Sequence, residues 1–222
     1  ERRRTDELIR PVLRGRDIRR YGYEFADLYL IATFPSRHYN IEEYPAVKNY
    51  LLSFGIERLE QTGKEYIVNG EKIKARKKTN NKWFETQDSI SYWDDFFKPK
   101  IVWKRVGSIL RFSYDTKECL VLDSTCFAVG KHIKFLVGIL NSKFGNYLLQ
   151  NSPKTGTGDL LISVQAIEPI RIPIPDNNAE YDFENLINKM LYENASLESE
   201  IDQKVYKLYG LSKAEIDFIE RQ

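Results

Sequence analysis

The clearest pattern of apolar and polar positions lies near the end of the chain. Phe183, Leu186, Ile187, Met190, Leu191, Leu197, Ile201, Val205 and Leu208 recur at helical spacing, which predicts one helix of roughly seven turns that Asp182 can cap. Gly210 is placed to end it, and Ser212 with Glu215 forms a capping box for a short helix through Ile219. Written in heptads, Ile187, Met190, Asn194, Leu197, Ile201 and Leu208 share a seam. Asn194 then takes either an inner position, where a buried amide fixes register, or the solvated edge of the stripe.

Upstream, the period alternates between strand-like and helical. Residues 28–34 read as a strand, and Pro45 opens a helix to about residue 61 (Val47, Tyr50, Leu51, Phe54) that Gly63 ends. Residues 65–73 alternate around Asn69-Gly70, a type I′ hairpin signal. Strands follow at 100–106, 109–114, 119–122 and 126–129, with turns at Gly107-Ser108 and Asp123-Ser124. Ile133, Leu136, Val137, Leu140, Phe144, Tyr147 and Leu148 then share one helical face. Pro169, Pro173 and Pro175 make residues 169–175 an extended strap, since proline donates no ladder hydrogen bond. No βα unit repeats, so the expected fold is α+β: a mixed-sheet body over 1–175 and a C-terminal helical arm over 176–222.

Charge follows the same division. Residues 1–175 carry 29 Lys and Arg against 21 Asp and Glu, whereas residues 176–222 carry 5 against 11. A basic body beside an acidic tail points to a polyanionic partner for the body. No apolar run approaches the ~20 residues of a membrane span, and the opening Glu1-Arg2-Arg3-Arg4 is not a signal peptide. Two cysteines, Cys119 and Cys126, cannot staple 222 residues, which points to a reducing cytoplasm. The start on a charged run without methionine reads as part of a longer polypeptide.

Catalytic patterns are sparse. His38 and His132 are far apart in sequence, the cysteines lack metal-ligand spacing, and Gly156-Thr157-Gly158 is too short to cradle a phosphate. Asp176, Asp202 and Lys204 superficially resemble a nuclease set. However, Asp202 and Lys204 fall inside the amphipathic helix, and Pro175-Asp176 is an ordinary helix start. Basic residues interleaved with aromatics are more plentiful. Arg14, Arg16, Arg19 and Arg20 precede Tyr21; Lys72, Lys74, Arg76, Lys77, Lys78 and Lys82 surround Thr79-Asn80-Asn81 and reach Trp83-Phe84; Lys98, Lys100, Lys104 and Arg105 flank Trp103. Residues 151–158 add a polar loop with Lys154, Thr155 and Thr157. The combination suits nucleic acid, with Trp83 and Trp103 expected to pack behind the loops.

Five segments carry a family resemblance. Leu13-Arg14-Gly15-Arg16-Asp17-Ile18-Arg19-Arg20-Tyr21 resembles the opening of target recognition domains in restriction-modification proteins. Lys82-Trp83-Phe84 with Phe97-Lys98-Pro99-Lys100-Ile101-Val102, Leu136-Val137-Gly138-Ile139-Leu140-Asn141-Ser142-Lys143, and the closing Ile162-Ser163, Ile167 and Ile170–Pro175 resemble the TaqI-like C-terminal specificity domain. Ile201-Asp202-Gln203-Lys204-Val205-Tyr206-Lys207-Leu208-Tyr209-Gly210-Leu211 resembles the ending of type IIG enzymes.

The resemblance implies a double-stranded DNA reader joined to, or associated with, an adenine-specific methyltransferase, with or without a nuclease. S-adenosylmethionine and Mg would belong to those other parts, and no cofactor is expected here. Base contacts are expected from Arg16, Arg19, Arg76, Asn80, Asn81 and Arg105, with Thr155 and Thr157 in lesser roles. Phosphate contacts are expected from Lys77, Lys78, Lys98, Lys100 and Lys154. A type I specificity subunit, a non-enzymatic RNA-binding module and a protein-interaction module are the competing readings.

Overall fold

A computed structural model describes residues 2–193 and 195–222 and divides the chain into two units. Asn194, and with it the expected seam position, lies outside the described residues. The first unit joins the residues up to Pro11 to Tyr29–Asp94. It contains α1 (Arg2–Leu8), the first half of β1 (Ile9–Leu13), β2 (Tyr29–Ile31), α2 (Pro45–Leu52), α3 (Ile56–Leu59), β3 (Glu65–Val68) and β4 (Glu71–Lys74). Strands β1 and β2 pair antiparallel, Ile9 opposite Ile31. Leu8, Tyr39, Ile41, Tyr44, Val47 and Phe84 form the core.

Two expectations for this unit are refined. The helix opened by Pro45 does not run through to residue 61, because Gly55 sits at φ 87°, outside helical space, and divides α2 from α3. The hairpin forms as expected: Glu65 pairs with Lys74 and Val68 with Glu71. Asn69 (φ 51°) and Gly70 (φ 84°) supply the two positive dihedrals of a type I′ turn.

The second unit joins Val12–Leu28 to Asp95–Gln222. Its elements are β5 (Lys100–Lys104), β6 (Val106–Gly107), β7 (Phe112–Asp115), β8 (Leu120–Val121), β9 (Thr125–Val129), α4 (Ile133–Asn141), α5 (Lys143–Leu149), β10 (Leu160–Leu161), α6 (Val164–Ile167), α7 (Asn177–Tyr192), α8 (Glu198–Leu208) and α9 (Lys213–Ile219). Strand β5 is central, antiparallel to both β7 (Lys100 opposite Asp115) and β9 (Lys104 opposite Thr125). Val12 and Leu13 pair in parallel with β8, and β10 pairs antiparallel with β6. Helices with parallel and antiparallel pairings make the α+β class.

Helix α4 lies across this sheet and carries three motif residues with separate tasks. Gly138 admits Phe183 of α7, since a side-chain carbon there would lie 2.6 Å from the ring. The buried Asn141 amide accepts from Phe112 N (3.0 Å) and donates to Phe112 O (2.7 Å), tying the helix end to β7. Ser142 turns extended and its Oγ accepts from Gly145 N (3.0 Å), so the single helical face expected from residue 133 onward is two helices. The long C-terminal helix is likewise two. Asp176 rather than Asp182 caps α7, accepting from Ala179 N (2.8 Å), and the helix ends at Tyr192, with Glu193 already outside helical dihedrals. The Gly210 stop and the Ser212–Glu215 capping box are present as read.

The sheet is held at one end by a buried ion pair. Lys100 Nζ lies 2.6 Å from Asp115 Oδ2, with both side chains fully buried. Burial pushes the Asp115 carboxyl upward, but the Lys100 ammonium and the Tyr23 hydroxyl more than reverse this, holding it below the ordinary carboxylate value. A carboxylate depressed in the fold stabilises it above the unfolded value of about 4, and that contribution is lost as pH falls through the folded value. Lys100→Met, which leaves a buried carboxylate without its cation, is expected to cost about 3–5 kcal/mol in urea unfolding. The deficit should narrow as pH falls, because the carboxyl left buried without its cation takes up a proton in the fold at a higher pH than in the unfolded chain.

Candidate nucleic-acid interface

In the second unit, basic side chains gather where β5 leaves the sheet. Arg105 is exposed just beyond the strand; its N donates to Ser124 O (3.0 Å) and its O accepts from Ile162 N (2.8 Å). Gly15 N reaches Ser124 Oγ (3.4 Å), which brings the short turn Gly15–Asp17 to the same place. That turn is braced from both sides. Arg14 donates to Asp17 through Nε (3.0 Å) and Nη2 (2.7 Å), holding the Asp17 carboxyl below its usual range, while Arg19 Nη1 donates to Arg16 O (2.7 Å). Arg16 itself stays exposed.

The 153–161 loop joins this end through β10. Leu160 faces Gly107, Lys154 bridges to Leu160, and the buried Trp103 donates from Nε1 to Ile162 O (2.8 Å). Trp103 thus packs behind the loops, as expected. Lys154 and Thr157 are exposed; Thr155 Oγ1 lies 2.8 Å from Thr157 Oγ1, which donates to Asp159 at 3.3 Å. Lys104, overlooked as a contact, is exposed at the end of β5 with its stem against Gly15 and Gly107. The signal was its place as the polar last residue after Ile101, Val102 and Trp103. Among the described residues, Arg16, Lys104, Arg105 and Lys154 form no ion pair.

In the first unit, a second basic surface is carried by residues 75–87, whose internal side chains hold the loop's shape. Gln61 donates to Lys82 O (3.0 Å) and Glu85 O (2.8 Å) and accepts from Thr79 Oγ1 (2.7 Å). Asn81 Nδ2 donates to Thr86 O (3.0 Å) and Gln87 O (2.9 Å). Lys77, Lys78, Asn80 and Lys82 are exposed on the loop so held, and Trp83 packs edge-to-face on Phe84.

Three expected contacts prove to be scaffold. Arg76 donates from Nε to Leu59 O (2.7 Å), from Nη1 to Glu85 O (2.9 Å) and from Nη2 to Trp83 O, and burial lowers its pKa. Three of its five N–H groups are engaged by carbonyls, which commits the fork chiefly to holding the loop. Asn81 is occupied in the same way. Lys100 is fully buried with Asp115 and Phe96 O (2.7 Å), so its ammonium does not reach a phosphate. Arg19 is largely committed as well, to Arg16 O, Ile18 O (3.1 Å) and Glu24 (2.5 Å). Lys98 pairs with Asp95 (2.7 Å) but remains exposed.

The nuclease-like trio is dispersed: Asp176 caps α7, Asp202 accepts from Lys143 N (2.8 Å), and Lys204 pairs with Asp182 (2.7 Å). Among the described residues, no group of three or more His, Cys, Asp or Glu is placed to hold a metal ion, and no helix is long and apolar enough to cross a membrane. Burial pushes the Cys119 thiol up to about 11, which keeps it protonated at neutral pH.

Exposed cations and amides on loops braced from within are the equipment of a domain that binds a polyanion. A family model described as the TaqI-like C-terminal specificity domain matches residues 10–174, and the chain belongs to that family. It therefore carries a DNA sequence-specificity domain of restriction-modification enzymes, a kind of domain that is not itself catalytic. A search of curated proteins returns no match.

Because Arg76 satisfies three carbonyls, Arg76→Ala is expected to cost about 2–3 kcal/mol in denaturant titration. Arg76→Lys should recover little of it, because a single ammonium cannot reproduce the fork.

Proposed function

We propose that this chain reads the target sequence for a type IIG restriction-modification enzyme, directing an adenine-specific methyltransferase domain, with or without a nuclease, to its duplex site. The observation that carries the reading is the set of exposed cations Arg16, Lys104, Arg105 and Lys154, without ion pairs among the described residues, at one end of the second unit's sheet. Arg16 and Arg105 keep their guanidinium forks for the bidentate contact that suits guanine O6 and N7. Asn80, Thr155 and Thr157 are the lesser base contacts. Lys77, Lys78, Lys98, Lys104 and Lys154 neutralise phosphates, which fixes register without reading sequence.

The reading fits chemistry divided between parts. Base selection needs donors held in fixed positions, which the braced turn Gly15–Asp17 and the Trp103-anchored loop supply. Adenine methylation within a duplex also needs the target base turned out of the stack, and that task falls to the catalytic domain.

The test begins with duplexes selected by the protein from a randomised pool. Arg105→Ala is expected to weaken the selected site by about 1–3 kcal/mol and to relax preference at one position. Lys154→Ala should weaken all sequences alike and lower the salt slope by about one. In a host carrying the intact gene, methylation-sensitive sequencing should show adenine methylation at one motif, altered by Arg105→Ala. Identical motifs for parent and variant would sink the assignment of Arg105.

A further inference from the structure

Residues 60–82 carry seven Lys or Arg against three Asp or Glu, and their centre is the two-stranded ribbon β3–β4. Its inner face, Tyr66, Val68 and Ile73, is half-buried, whereas its outer face presents Glu65, Ile67, Lys72 and Lys74 to solvent, with Ile67 81% exposed. The root is fixed. Ala75 N donates to Lys64 O (2.9 Å), Gly63 N to Arg76 O (2.8 Å) and Arg76 N to Glu60 O (3.0 Å), while the Tyr66 hydroxyl donates to Glu60. The tip stands clear: a side-chain carbon added at Gly70 would meet nothing within 4 Å among the described residues. Arg76, expected to read bases, thus clamps the root of an element that projects.

We infer that this ribbon enters the major groove of duplex DNA with its turn leading. The inference rests on the reading of the chain as a DNA reader and adds a contact element to it. Strands about 4.8 Å apart fit a groove about 12 Å wide, and the minor groove, at about 6 Å, is too narrow for the ribbon with its side chains. Four residues at about 3.4 Å each reach about 14 Å, more than the roughly 8.5 Å depth of the major groove. The tip therefore meets the groove floor while Lys64, Lys74, Lys77 and Lys78, at the root, stand level with the phosphates. Asn69 at the tip supplies an amide of the kind that pairs with adenine N6 and N7, and Ile67 supplies an apolar contact for a thymine methyl. Lys72 pairs with Glu65 (2.6 Å), but both are exposed, and such a pair gives way readily to phosphate.

The test uses the full chain and duplexes selected from a randomised pool. Asn69→Gly keeps the turn's positive φ while deleting the amide, and Ile67→Ala changes an exposed side chain, so both should melt like the parent. Each is expected to lose about tenfold on the parent's selected duplex and to relax preference at an A·T position. Lys72→Ala with Lys74→Ala should lower the salt slope by about two without changing the motif. Ribbon variants that select the parent motif with parent affinity and salt slope would overturn this inference and leave the Arg105 assignment standing. Selection of no duplex by the parent, or preference for single-stranded RNA at matched salt, would overturn both.

Discussion

A lysine and an aspartate with no exposure to water set the geometry of the second unit. Two charges removed from water destabilise a fold unless every remaining donor and acceptor is met. Here Asp115 accepts from Lys100, from Tyr23 Oη (2.7 Å), from Lys117 N (2.9 Å) and from Cys119 N (3.1 Å), while Lys100 also donates to Phe96 O. Those bonds gather the chain at residue 23, the entry to β5 and the turn after β7 around one carboxylate. A one-residue slip of β5 against β7 would leave both charges unpaired in the interior. The register is fixed at Lys100, and Lys104 and Arg105 therefore emerge at a defined place at the opposite end of the strand.

A second set of contacts ties the helices to the sheet and to one another. Asn141 bonds both backbone groups of Phe112, Gly138 makes room for Phe183, and Asp202 of α8 accepts from Lys143 N at the start of α5. The acidic helices are also held by polar contacts: Glu180 lies 2.6 Å from His132 Nδ1, and Glu220 pairs with Lys143. Part of the tail's negative charge is therefore engaged within the helical layer, while the cations at the end of β5 keep theirs. The near-neutral total charge of the chain conceals this arrangement.

Local signals were legible wherever one or two neighbouring residues decide the conformation. Asn69-Gly70 specified its turn, Pro45 its helix start, and Ser212-Glu215 its cap. Helix breaks were harder, because Gly55 and Ser142 interrupt stripes whose apolar spacing continues past them. Which of the candidate contacts the fold engages internally was hidden for a different reason. Arg76, Asn81 and Lys100 sit in basic or amide-rich runs like their exposed neighbours, and only the partners that the folded loops and strands bring to them distinguish them. Arg76 bonds carbonyls up to 17 residues away, and Lys100 meets a carboxylate that becomes its neighbour only once β5 and β7 pair. Charge composition marked the basic loops but not the donors within them that the fold had already engaged.

That distinction bears on how such a domain can change what it reads. Many residues of the segments that carry the family resemblance, among them Arg14, Asp17, Lys100, Gly138, Asn141, Ser142 and Asp202, are braces, clasps and caps within the second unit. The exposed Asn80, Arg105, Lys154 and Ile67 lie outside those segments and contribute little to either core, so replacing them changes the surface at small cost in stability. A buried donor already satisfied by a carbonyl cannot also report on a base, and a donor left open for a base does not help hold the fold. Separating the two sets lets recognition vary on a constant frame. It also explains why the motifs that reveal the family say little about the sequence its member selects.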